Sequence, residues 1–176
     1  MMLHVNELAI TVIGHDRPGI IADVAEVLAG LGMNLTDSTM TRLRGHFAMT
    51  LVCAGTPETD DVEAALAPLT ADGSLMAMVR RVAPESEPEV VGSHYVLSVH
   101  GADRLGIVAS VTRGLAEFGG NITDLTTRLS GSLYVVVAEL DLPPGADVDV
   151  VRERLDGVAR AIGVDVSLRQ ADTDLL

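Results

Sequence analysis

One short loop carries residue types that could handle a zwitterion. Gly14-His15-Asp16-Arg17-Pro18-Gly19-Ile20-Ile21 leads from an apolar segment into a stretch with helical spacing. A helix start presents unpaired N–H groups and the positive end of the dipole. A carboxylate there gains ~0.3–1 kcal/mol when exposed and up to about 2 kcal/mol when partly buried. Pro18 suits the first helical turn, where its missing N–H costs nothing. Gly19 leaves the amides of Gly19, Ile20 and Ile21 uncovered. Asp16 could hold an ammonium group, and Asn34, opening the next extended segment, offers both donor and acceptor. Together they suit the two charged ends of an α-amino acid. An Asp before Pro-Gly is equally a capping or turn residue, and an Asn after a glycine often supports a turn. The sequence leaves that alternative open.

Other chemistry finds little support. His15 beside Asp16 invites a catalytic reading, but no serine or cysteine nucleophile partners it in sequence, so it reads as a loop-surface histidine. His46 and His94 have no partner in the sequence, His100 sits at a strand end, and none shows metal-ligand spacing. The single cysteine, Cys53, lies in an apolar run and reads as a buried, inert thiol. No catalytic residue, metal ligand or cofactor is therefore assigned. The net charge is −13, and all 12 basic residues are arginine. With no basic stripe to neutralise phosphates, and only two Phe and two Tyr for stacking, direct nucleic-acid binding is not expected. No apolar run approaches the ~20 residues of a membrane span, and no leader pattern opens the chain, so the cytoplasm is the expected compartment.

The loop occurs twice. Gly14 to Ala22 returns as Gly101-Ala102-Asp103-Arg104-Leu105-Gly106-Ile107-Val108-Ala109, at an offset of 87 residues, and Asn34-Leu35-Thr36-Asp37 returns as Asn121-Ile122-Thr123-Asp124. Thr41 to Gly45 then matches Thr127 to Gly131 at an offset of 86, which predicts one residue lost from the second copy. Residues 83–89 are rich in proline and acid, as a solvated linker is. The expected organisation is a domain over 1–83, a linker over 84–93 and a second domain over 94–176.

Each copy shows one rhythm. A short apolar strand over Leu8–Ile13 is followed by Ile20, Ile21, Val24, Leu28 and Leu31 at helical spacing, stopped by Gly32. Two extended runs, Asn34–Arg42 and Phe47–Ala54, meet near Arg44-Gly45. A helix carrying Val62, Leu66 and Leu69 and a strand over Leu75–Val82 complete the unit. The second copy repeats this with strands near Tyr95–Val99, Ile122–Leu129, Leu133–Leu140 and Val164–Leu168. The predicted class is α+β: two ferredoxin-like βαββαβ domains, each a four-stranded antiparallel sheet with two helices on one face. Leu133–Ala138 is apolar on both alternating faces and Leu8–Ile13 nearly so. The face away from the helices should then be covered by another domain or chain, which predicts a homo-oligomer.

At these residues the chain resembles the ACT-domain family. Ala9 to Ile20 and Asn34 to Ser38 are similar in particular to the glycine cleavage system transcriptional repressor group. A similar opening occurs in the N-terminal domain of formyltetrahydrofolate deformylase, whose catalytic domain has no room here. The resemblance implies a small amino-acid effector held at a seam between paired domains. It also implies regulation through a transcriptional activator or an enzyme partner, without a DNA-binding domain. The implied ligand positions in the first copy are Gly14, His15, Asp16, Gly19, Ile20, Asn34 and Leu35. In the second they are Gly101, Asp103, Gly106, Ile107, Asn121 and Ile122. Leu105 replaces the usual proline. The rival reading is an adaptor that pairs through its sheets and binds no ligand.

Overall fold

The computed structural model describes residues 5–83 and 92–171. The chain divides into two compact units between Ser86 and Glu87. The linker expected at 84–93 lies outside the described residues except for Gly92 and Ser93.

The first unit runs β1 (Asn6–His15), α1 (Ile20–Gly30), β2 (Asn34–Leu43), β3 (His46–Gly55), α2 (Thr59–Thr70) and β4 (Leu75–Arg81). The second runs β5 (Ser93–Ala102), α3 (Ile107–Ala116), β6 (Asn121–Ser130), β7 (Leu133–Leu142), α4 (Val148–Ile162) and β8 (Val164–Gln170). Each sheet has four antiparallel strands, ordered β2-β3-β1-β4 and β6-β7-β5-β8. The predicted double βαββαβ fold is what forms.

Alternation places the core. Leu8, Ile10 and Val12 of β1 turn to the helix side with Phe47, Met49, Leu51 and Cys53 of β3. There they pack against Ile20, Val24 and Leu28 of α1 and Val62 and Leu66 of α2. The second core repeats this with Leu97, Val99, Ile107, Val111, Leu115, Val136, Leu140 and Leu155. Burial raises the pKa of the Cys53 thiol, which keeps it protonated and inert. On the opposite face Ile13, Met76 and Met78 of the first sheet, and Leu133 and Val137 of the second, remain exposed. No described helix is long and apolar enough to cross a membrane.

Glycines end the first helix of each unit in the same way. After α1, Gly32 N–H bonds Ala29 O and Met33 N–H bonds Leu28 O, with Gly32 at φ +73°. After α3, Gly119 and Gly120 repeat these bonds to Ala116 and Leu115. Both are Schellman closures.

The expected one-residue loss in the second copy does not occur. Asn34 pairs with Ala54 and Leu43 with His46; Asn121 pairs with Asp141 and Ser130 with Leu133. The offset of 87 therefore holds through both hairpins. What moves is the turn glycine. In the first hairpin Arg44 and Gly45 both have positive φ (+50° and +84°), a type I′ pattern, whereas in the second only Gly131, at the first turn position, does. The length difference falls later. β3 ends at Gly55 with the α2 N-cap at Glu58, while β7 ends at Leu142 with the α4 N-cap at Asp147, two residues longer.

Candidate functional site

β1 delivers the first loop to the start of α1. Gly14 is a packing requirement: a Cβ there would stand 2.1 Å from Ser74 O, where β4 begins. Gly101 meets Val164 in the same way, with Cγ1 2.9 Å from a built Cβ. Backbone bonds then fix the loop, from His15 N–H to Ser74 O (2.8 Å) and from Asp16 N–H to Gly45 O (3.2 Å). Asp103 N–H makes the equivalent bond to Ser132 O (3.2 Å). His15 is exposed.

Two sequence readings of this loop need correction. Pro18 lies one residue before the N-cap, Gly19, and so outside the first helical turn. Gly19 is demanded by its backbone: φ is +89°, and a Cβ would meet nothing nearer than Arg17 Nη1 at 3.8 Å. Gly106 has φ +88° at the same place. A left-handed N-cap turns the chain sharply into the helix and favours glycine at both positions.

No side chain caps α1 or α3. The other two helices are capped. Glu58 and Asp61 form a capping box on α2, and the Asp147 carboxylate accepts from the N–H groups of Asp149 and Val150 on α4. Asp16, a possible cap from sequence, instead accepts from Arg42 (Nη1 to Oδ2, 3.4 Å). A groove of about 560 Å³ lies over the α1 start, rimmed by Asp16 and Arg17, with Ile21, Ala25, Met40 and Phe47 along it. The side chain of Ile20 is buried in the first core, so Ile20 offers its backbone to the groove; Ile107 is buried likewise in the second core.

The two Asn residues are not brought to these loops within a unit. Asn34 and Glu7 both pair with Ala54, while His15 pairs with His46 at the other end of the sheet. Eight residues of strand separate the two levels, about 26 Å. Asn121 is placed identically, level with His94 while Ala102 carries the loop. Leu35 and Ile122 flank a bulge at the same remote end. The physical reason is that α1 and α3 return the chain to the opposite sheet end before β2 and β6 begin.

Sequence reasoning missed the arginines. Arg17 pairs with Asp23 (2.8 Å) and Arg42 with Asp16, whereas Arg104 donates to Ile162 O (3.5 Å) at the end of α4. Ser110 stands where Asp23 does, and Leu129 where Arg42 does. Arg128, which the sequence aligns with Arg42, is one register place away, opposite Val135. One place along a strand is the other face of the sheet. Asp103 makes no ion pair among the described residues. Counting back from the hairpin turns would have exposed this. The sequence also left His94 unpartnered; strand pairing sets it against Asp141, which its ring contacts. Among the described residues no three His, Cys, Asp or Glu side chains cluster as metal ligands would.

Known proteins place this geometry. A UPF0237 protein of Methanopyrus kandleri is 40% identical over 79 residues, covering 44% of this chain and 87% of that protein. One from Listeria monocytogenes is 43% identical over 61 residues, 33% of this chain and 68% of the relative. Among solved structures, an unknown protein from Galdieria sulphuraria matches with a TM-score of 0.79 at 28% identity, over 96% of this chain and all of that one. A candidate glycine cleavage system transcriptional repressor matches with a TM-score of 0.75 at 23% identity, over 96% and 99%, a likeness of fold. The ACT domain family model matches residues 6–80 and again 93–169, and the chain therefore belongs to the ACT-domain family as a tandem of two such domains.

Proposed function

We propose that this chain is a non-catalytic regulatory protein that binds a small amino acid at its Asp-Arg loops and acts on a partner protein. One observation carries the reading: α1 and α3, the helices that follow these loops, start without a side-chain cap, while α2 and α4 are capped. An uncapped helix start can bind a carboxylate through free amides and the dipole. Asp16 stands beside that seat and supplies a partner for an ammonium group.

Asn34 and Asn121, lying about 26 Å from their own loops by strand rise, complete such a seat only when another domain, of this chain or of a second copy, contributes them. This fits a homo-oligomer, as do the exposed apolar residues of both open faces. With a net charge of −13, control of transcription would run through a protein such as a transcriptional activator, or through an enzyme, and not through DNA contact. The likeness to a candidate glycine cleavage repressor makes glycine metabolism the first place to look. The second reading, a ligand-free adaptor, draws on the same exposed apolar faces.

Calorimetry with the twenty amino acids is the test. One should bind at millimolar affinity or better, and Asp16→Ala should weaken it by about ten- to a hundred-fold, the worth of one charge-assisted contact of ~1.5–3 kcal/mol. The ligand-free melting temperature should barely move, because Asp16 caps nothing. Absence of any binding ligand, or unchanged affinity in the variant, sinks this reading in favour of the adaptor.

A further inference from the structure

We propose that Arg42 is the residue that makes the first domain's groove select a zwitterion, and that the second domain, lacking it, is not an equivalent site. This rests on the binding reading above and adds what distinguishes the two copies.

Arg42 forms an ion pair with Asp16, which rims the groove; their side chains are 69% and 30% accessible. Phe47, directly opposite Arg42 in the strand pairing, lines the groove beside Asp16. A resting pair of this kind can exchange partners. A zwitterion brings one carboxylate and one ammonium, so Arg42 takes the first and Asp16 the second, leaving the net charge unchanged and no group unpaired. A bare carboxylate would take Arg42 and strand Asp16; a bare amine would strand Arg42. Each half-ligand loses an attraction and leaves a charge without its partner.

The second domain cannot make this exchange. Leu129 occupies the Arg42 place, and Arg128 is set on the opposite face of the sheet. Arg104 reaches back to the last carbonyl of α4, over Gly163, so it serves that helix end. Asp103 therefore has no ion-pair partner to exchange among the described residues, so a zwitterion's carboxylate gains no arginine beside it there.

The test uses the full chain and three probes: glycine, the part every α-amino acid shares, and its two halves, acetate and methylamine. Amide chemical shifts of Ile20 and Ile21 report the first loop, and those of Ile107 and Val108 the second. At millimolar concentration glycine should move the first pair only, at least ten-fold more tightly than either half. Arg42→Leu, a substitution on an exposed edge strand, should abolish that preference with the fold intact. Equal response of both loops to glycine, or an unchanged preference in Arg42→Leu, overturns the proposal while leaving the binding reading standing. If glycine moves none of the four amides, this proposal fails, and calorimetry with the twenty amino acids decides the binding reading separately.

Discussion

The two Asp-Arg loops share a backbone and differ in the charges around it. Gly14 and Gly101 are both packed against the first residues of the neighbouring strand, and Gly19 and Gly106 both turn the chain at φ near +90°. Asp16 and Asp103 are both tied by a backbone bond to the facing hairpin turn. The ion pairs are not shared: Arg17–Asp23 and Arg42–Asp16 exist in the first domain, and neither has an equivalent in the second. Steric demands fix the glycines, because any other residue clashes or strains. Exposed ion pairs are worth ~0–1 kcal/mol to stability, so stability alone does not hold them in place.

The comparison breaks most visibly at the packed glycines. Gly14→Ala drives a Cβ into the backbone oxygen of Ser74 and should cost about 3 kcal/mol. Gly101→Ala meets Val164 less closely, at 2.9 Å from Cγ1 and 3.1 Å from Cα, and should cost about 1–2 kcal/mol. Urea denaturation of the two variants measures both, and equal losses would mean that the closer approach at Ser74 is relieved by movement of the strand start.

A smaller effect separates capped from uncapped helices. Asp147→Ala should cost about 1 kcal/mol, the worth of an N-cap. Asp103→Ala, which removes no cap, should stay within about 0.5 kcal/mol. If both variants lose a full cap's worth, Asp103 serves α3 in solution in a way its geometry does not suggest.

The smallest effect lies in acid. In the second domain Glu117 receives two hydrogen bonds from Arg154 (2.7 and 2.8 Å), tying α3 to α4. Gly30 and Ala65 stand at the matching places of the first. The Arg154 hydrogen bond holds the Glu117 carboxyl below its ordinary value of 4.5, with the guanidinium charge adding to this. A lowered folded-state value means stabilisation that is complete above 4.5 and is lost as pH falls through the lower value. Glu117→Gln should therefore lower the melting temperature slightly near neutrality and narrow the gap to the parent on acidification. A gap that widens in acid contradicts the clasp.

Much of this was legible in the residues. Gly14-x-Asp16-Arg17 with Gly19 and its second copy identified the repeat, because close packing and left-handed turns each leave few choices of residue. The helices and strands followed from apolar spacing, since burial on one face imposes a period. Three things waited for the tertiary structure. The true register of the second hairpin was hidden because Gly131 sits one place earlier in its turn than Gly45, so Arg128 looked like Arg42. The distance between Asn34 and Asp16 was invisible because a helix between them reverses the chain, and local sequence does not say which end of the sheet a residue reaches. The partners of Asp16 and Arg104 were undetermined for the same reason: a charge at one position names a need, and only the strands and helix ends that arrive beside it decide how that need is met.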